Sequence, residues 1–339
     1  MELLLKASEQ QVACCSRLLQ VHPGETLLLK ALESAERAAQ SCQKDGDYLQ
    51  VAVQSYTQSV LDSTYFEETL LVNQAFSQAS SFGTVVGIID ALSIPHKLGI
   101  APKEVCSLLQ DEIVECLYWR VGALLYMYCQ TTLTRGTVQK EGIMECSCAG
   151  VGYLQLMLDV QPPLPPLREG EYTTNDPSLP GLLQQGIYSD VHMLALMYAG
   201  EMCYWHWELD NGGVGQEGPV PALTIGGAEG TGVVMAGVQA DAGSGICSES
   251  ESRSGAGHVD SGSALCPGES GSEALPFGLM GAMRGLDFVR EWREEFNPVK
   301  LGVVYLTKYI DAARGPLKFQ EWNYDRAIQL LIRMKKSQS

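Results

Sequence analysis

Residues 102–133, PKEVCSLLQDEIVECLYWRVGALLYMYCQTTL, decide the fold class. Leu109, Ile113, Cys116, Arg120, Leu124, Met127 and Thr131 recur at steps of three and four, the period of one helix face. Leu108, Leu117, Ala123 and Tyr128 widen that stripe over much of the circumference, which suits a helix enclosed by others. Pro102 suits the first helical position, where its missing N–H is not needed. A helix over 102–133 would be about 48 Å long at roughly 1.5 Å per residue. Arg120 sits in the stripe without a carboxylate three or four residues away. It is expected to bond across to another helix, at Asp190 or Glu201.

The same period extends outward. Leu28, Ala31, Ala35, Ala38 and Cys42 mark a helix over 27–42, broken at Gly46. Leu49, Val53, Tyr56 and Val60 mark a second, and the two read as an antiparallel hairpin. Residues 82–94, rich in Val and Ile, read as a helix ended by Pro95. The pattern weakens over 134–150, with Gly136, Gly142 and Gly150, and resumes for a short helix over 151–160. A second long helix runs over 182–209, where Leu183, Ile187, Val191, Leu194, Tyr198, Met202 and Trp205 keep the period. Shorter helices are expected over 286–296, 299–313 and 322–336. The fold class is all-α, a multi-helix bundle of helical hairpins.

The chain has 339 residues and a formal charge of −17, with 45% apolar residues, enough for a core. Residues 211–285 differ from the rest. They hold 19 of the 35 glycines and two bases against eight acids, a net −6. Such a composition cannot offset its chain entropy by burial, so a long disordered Gly/Ser-rich loop is expected. The domain reading is a helical first part over 1–210, a disordered acidic insert over 211–285 and a C-terminal helical part over 286–336. The acidic balance opposes non-specific binding to nucleic acid or an anionic membrane, and no stretch reaches the roughly 18 apolar residues of a spanning helix. The 11 cysteines are odd in number, scattered and without a C-x-x-C pair, as expected of reduced core residues in the cytosol.

Catalytic patterns are weak. Residues 213–218 spell G-x-G-x-x-G, but a helix precedes them and Pro219 follows, the reverse of a dinucleotide site. No P-loop and no nucleophile elbow occurs. Cys146/Cys148 with Cys203/His206 could sketch a zinc site, though no ligand pair is well spaced. Asp111, Glu112 and Glu115, faced by Glu67 and Glu68, could bind magnesium and support a helical-bundle enzyme. The alternative is a solvated acidic face at a helix start. Residues 162–168, PPLPPLR, fit the form that SH3 domains read, with Arg168 as the orienting charge, or serve as a stiff linker. No catalytic residue, metal or cofactor is assigned. The candidate interface or core anchors are Trp119, Arg120, Tyr188, Asp190, His192, Glu201, Tyr204, Trp205 and Trp322.

Specific runs go further than pattern. These are 56–68 (YTQSVLDSTYFEE), 111–120 (DEIVECLYWR), 122–129 (GALLYMYC), 186–192 (GIYSDVH), 197–205 (MYAGEMCYW), 315–318 (GPLK) and 320–323 (QEWN). Together they resemble the family of Rab-7-interacting subunits of the metazoan Mon/Ccz complex, over about residues 45–210 and 300–335. The resemblance implies a non-enzymatic accessory or scaffold subunit. Its partners would be the Mon/Ccz exchange complex and the Rab-7 GTPase, supporting Rab-7 stability and its recruitment to damaged mitochondria in mitophagy. The expected location is the cytosol, with recruitment to mitochondria, late endosomes or autophagosomes through partners. Residues 136–150, 211–285 and 288–298 depart from the family pattern.

Overall fold

The computed structural model describes residues 1–44, 48–78, 80–94, 98, 107–136, 140–161, 163, 182–183, 186–212, 292–314 and 324–336. Among them all regular structure is helical. The elements are α1 (Glu2–Val21), α2 (Thr26–Cys42), α3 (Leu49–Asn73), α4 (Ser81–Leu92), α5 (Asp111–Arg135), α6 (Lys140–Val160), α7 (Asp190–Asp210), α8 (Pro298–Arg314) and α9 (Asp325–Lys336).

The N-terminal half packs α1 on α2 and α2 on α3, with α4 against α3. The α2 stripe behaves as its spacing requires: Leu28, Ala31, Ala35 and Ala38 are fully buried. The three alanines let α2 pack closely against its neighbours α1 and α3. The C-terminal half packs α6 on α5 and on α7, and α8 on α7, with α9 closing over α8 and α7. One continuous apolar core runs through both halves. α5 is buried at Val121–Tyr126 without interruption, which accounts for its lack of a polar face.

Several sequence boundaries are corrected. α1 has no counterpart among the expected helices. It buries Leu4, Ser8 and Cys15 and is tied to α3 by Gln11, whose amide donates to Ser63 Oγ at 2.8 Å. α5 begins at Asp111, after Gln110 in extended backbone, and Pro102 lies outside the described residues. Gly136 ends α5 in the left-handed region at φ 67°, a conformation glycine adopts without cost.

α6 starts at Lys140, eleven residues before the expected 151, and runs through Gly142 and Gly150. Gly150 does not break the helix; it makes room. A Cβ there would lie 2.8 Å from Met202 Sδ on α7. α7 starts at Asp190 rather than 182, because Gly186 turns the chain at φ 74°. α8 starts at Pro298 under an Asn297 cap, whose Oδ1 accepts from the Lys300 N–H at 2.9 Å. Of the expected 286–296 helix only the turn at 292–295 is described. The expected insert falls outside the described residues beyond Gly212, as does Trp322. Only Pro163 of the proline segment is described. No described helix is long and apolar enough to cross a membrane.

Candidate functional site

Three polar or aromatic clusters gather most of the candidate residues at helix crossings. The first joins α3 and α5. Arg120 Nη2 donates to Glu68 Oε1 at 2.5 Å, Nε to Glu68 Oε2 at 3.3 Å, and Nη1 to the Leu61 carbonyl at 2.5 Å. Its guanidinium carbon lies 5.6 Å from the Tyr65 ring centre. The two side chains are only 6% and 2% exposed. Arg120 does bond across to another helix, but the partner is Glu68. The expected partners Asp190 and Glu201 belong to α7, on the other side of α5. Burial raises the Glu68 carboxyl above its ordinary range, and Arg120 partly opposes that rise by its charge and hydrogen bond.

The second cluster joins α5, α7 and α9. Glu201 is buried and accepts from Tyr126 Oη at 2.8 Å, while Arg326 Nε stands 2.9 Å from its Oε1. Burial raises this carboxyl too, opposed by Arg326 and by the tyrosine. Around it four aromatic rings stack alternately from two helices. Trp119 lies over Tyr198 at 5.6 Å, Tyr198 over Tyr126 at 3.7 Å, and Tyr126 over Trp205 at 5.2 Å. Trp119 and Tyr126 are seven residues apart on α5, as are Tyr198 and Trp205 on α7. Each pair therefore presents two rings on one face, two turns apart, and the pairs interleave. Tyr204 is buried beside them; its hydroxyl donates to Glu208 Oε1 at 2.8 Å and accepts from Arg333 Nη1 at 3.1 Å.

The third cluster lies at the start of α7. His192 is buried, with Nδ1 2.9 Å from Ser189 Oγ and Nε2 3.8 Å from Glu115 Oε1. Burial pushes its imidazole down to about 4. The Glu115 carboxyl is pushed up, first by burial and then by Glu112 and Asp111. Tyr188 lies edge-on to His192 at 5.5 Å. Asp190 is exposed at the first position of α7, where a carboxylate suits the helix dipole.

The magnesium arrangement does not assemble. Asp111 and Glu112 are exposed on the first turn of α5, whereas Glu68 is held by Arg120, nine residues or about 13 Å further along that helix. Among the described residues no three His, Cys, Asp or Glu side chains come together as a metal site would require. His206 is occupied by the Met144 carbonyl at 3.0 Å and Ser147 Oγ at 3.3 Å. Burial raises the Cys148 thiol to about 12 and holds the Cys203 thiol well above its ordinary range, the reverse of what a zinc thiolate needs.

The sequence reading missed Tyr126, Tyr198 and Arg326, which complete the second cluster. Tyr126 and Tyr198 fall within the recognised runs, and their seven-residue spacing to Trp119 and Trp205 was the available signal. It also missed Trp292, whose Nε1 donates to the Cys148 carbonyl at 3.1 Å and whose ring covers Gly152.

The clusters lie largely within residues that a known family describes. The family model for RAB7A-interacting MON1-CCZ1 complex subunit 1 matches residues 27–223. The human protein of that name is 32% identical over 287 residues, spanning 81% of this chain and 75% of its own. This chain belongs to that family. The Danio rerio member is 42% identical over 159 residues, 45% of this chain and 57% of its own, and the Mus musculus member is 32% identical over 283 residues. No solved structure matches. The match begins upstream of the recognised runs and takes in α2. All nine candidate anchors except Trp322 are described, and only Asp190 among those eight is exposed; the rings and charges of the others are engaged within the chain or packed in its core.

Proposed function

We propose that this chain is a non-enzymatic accessory subunit of an exchange-factor complex for a Rab GTPase, with the MON1-CCZ1 complex and RAB7A as its partners. Membership of a family whose relatives carry those names supports the reading most directly. The internal chemistry agrees with it. The buried carboxylates Glu68 and Glu201 are each met by an arginine, and His192 is shielded from solvent, so the polar groups of the core fix helix crossings. In the cell the subunit would support RAB7A stability and its recruitment to damaged mitochondria, from a cytosolic pool. The insert over 211–285 is proposed to be dispensable for assembly, the helical parts before and after it forming one domain.

Co-purification tests the reading. The chain, with and without residues 211–285, is expected to form a stable complex with purified MON1-CCZ1 and to bind RAB7A. A chain that binds neither refutes the reading. Loss of binding on deleting the insert alone refutes the dispensable-loop part. Depletion of the protein is expected to reduce RAB7A on depolarised mitochondria, read by fluorescence microscopy. Unchanged recruitment removes the mitophagy role.

A further inference from the structure

The last two helices carry a surface unlike the rest of the chain. α8 and α9 hold seven basic residues against Asp311 and Asp325, a balance of +5 in a chain whose total is −17. Everything else therefore carries −22.

The two helices run antiparallel. Met334 lies over Gly302, where a Cβ would meet its Cε at 2.5 Å, and the Arg314 guanidinium lies 5.2 Å from the centre of the Tyr324 ring. Val304 is thus level with Ile332, and Lys300 with Lys336. The inner face of the hairpin is closed: Tyr305, Leu306 and Tyr309 of α8 are buried, as are Ala327, Leu330 and Met334 of α9. The outer face is open, with Val304 43% and Ile332 48% exposed. Lys300, Val304 and Lys308 form one stripe at four-residue steps, and Lys335 and Lys336 lie one turn beyond Ile332; all four lysines are exposed. The outward positions of the hairpin therefore hold two branched aliphatic side chains, Val304 and Ile332, together with four lysines.

We infer that this outer face of α8 and α9 is the docking surface for an acidic patch on the MON1-CCZ1 complex, carboxylates meeting the lysines around an apolar centre. The inference rests on the reading proposed above. Interfaces combine an apolar core with a polar rim, and charge complementarity across them steers encounter and selects the partner. An anionic bilayer fits less well. Two aliphatic residues give little to insert, the apolar stripe of α9 is already used inside, and the −22 body is repelled by such a surface. A second copy is opposed by the repulsion of two −17 chains.

The test uses the full chain and purified MON1-CCZ1 complex, with affinity measured by interferometry between about 50 and 300 mM salt. Two independent variants are used, Lys300→Glu/Lys308→Glu/Lys335→Glu and Ile332→Asp. A control, Lys6→Glu/Lys30→Glu/Lys140→Glu, makes the same charge change on other exposed lysines. Each variant is expected to bind about tenfold or more weakly, the triple with a shallower salt dependence, and the control about as tightly as wild type. Urea midpoints equal to wild type confirm folding. Wild-type affinity and salt slope in both variants overturn the docking face and leave the subunit reading intact. Failure of the wild-type chain to bind the complex removes both. Intact complex binding, with the loss falling instead on RAB7A, on vesicles containing phosphatidylserine or on self-association, also overturns it.

Discussion

Replacing Arg120 by methionine tests the central energetic claim, that buried charge fixes the crossing of α3 and α5. Methionine keeps the apolar stem and removes three donors. Glu68, 2% exposed at its side chain, then has no counter-charge, and the Leu61 carbonyl loses its partner. Breaking one side of a buried pair costs about 3–5 kcal/mol, mostly as the desolvation of the charge left behind. Replacing both sides with apolar residues is often close to neutral. Arg120→Met is therefore expected to lose about 3–5 kcal/mol at pH 7, and Arg120→Met/Glu68→Leu far less than the two single changes added together.

The pH dependence gives a second reading of the same event. In Arg120→Met the Glu68 carboxyl rises further above its unfolded value, since burial stays and the arginine is gone. A raised acid favours folding fully below its unfolded pKa and loses that contribution as pH rises through its folded value. The deficit against wild type should therefore shrink toward pH 4. Urea denaturation followed by far-UV circular dichroism, repeated from about pH 4 to 8, measures all four proteins. A single-variant loss below about 1 kcal/mol, or additive singles and double, would falsify the argument.

Other expectations follow from single sites. Burial, then neighbouring Glu68, raises the Glu67 carboxyl to about 7, so its contribution to stability falls as pH rises from about 4.5 to 7. Glu67→Gln should match wild type near pH 4 and exceed it by about 1–2 kcal/mol at pH 8, by urea titration at both values. Gly122→Ala places a Cβ 2.5 Å from Leu154 Cδ2 and should cost about 1–3 kcal/mol, whereas Gly87→Ala in α4 meets nothing within 4 Å and should cost nothing. Thermal melts rank the two, and equal losses would refute the distinction. Asn297→Ala removes the α8 cap and should cost about 1 kcal/mol; an unchanged melting temperature would show that Pro298 alone sets the helix start.

The period of three and four exposed α2, α3, α5 and α7 because apolar residues recur at that step on each buried face. It failed at α1, which meets α3 through Gln11 to Ser63 and Cys15 to Ser59 rather than through a periodic apolar stripe. It also failed over 140–150. There glycine reads as a breaker, yet at Gly150 it serves as the small residue that lets α6 approach Met202. The ring stack was hidden for a different reason. Each half, Trp119 with Tyr126 and Tyr198 with Trp205, is visible as a seven-residue pair. The interleaving depends on the crossing of two helices 79 residues apart, from Trp119 to Tyr198, which no local pattern encodes. Arg120 shows the same limit. Its need for a partner was legible from its apolar surroundings, but the choice between α3 and α7 is tertiary.

The buried clusters also bear on how the outer face of α8 and α9 is held. α9 is only twelve residues long and would be a marginal helix alone. Arg326 ties its first turn to Glu201, and Arg333 ties its last turn to the Tyr204 hydroxyl, so both ends are fixed to α7 by charged donors. Glu201 is in turn held by Tyr126 of α5, within the ring stack. Ile332, Lys335 and Lys336 thus sit on a helix anchored through α7 to the centre of the bundle, and binding there need not meet the cost of ordering a free segment. Under the proposed docking, the aromatic and charged residues that stand out in the sequence contribute through this anchoring, by setting where the lysines stand.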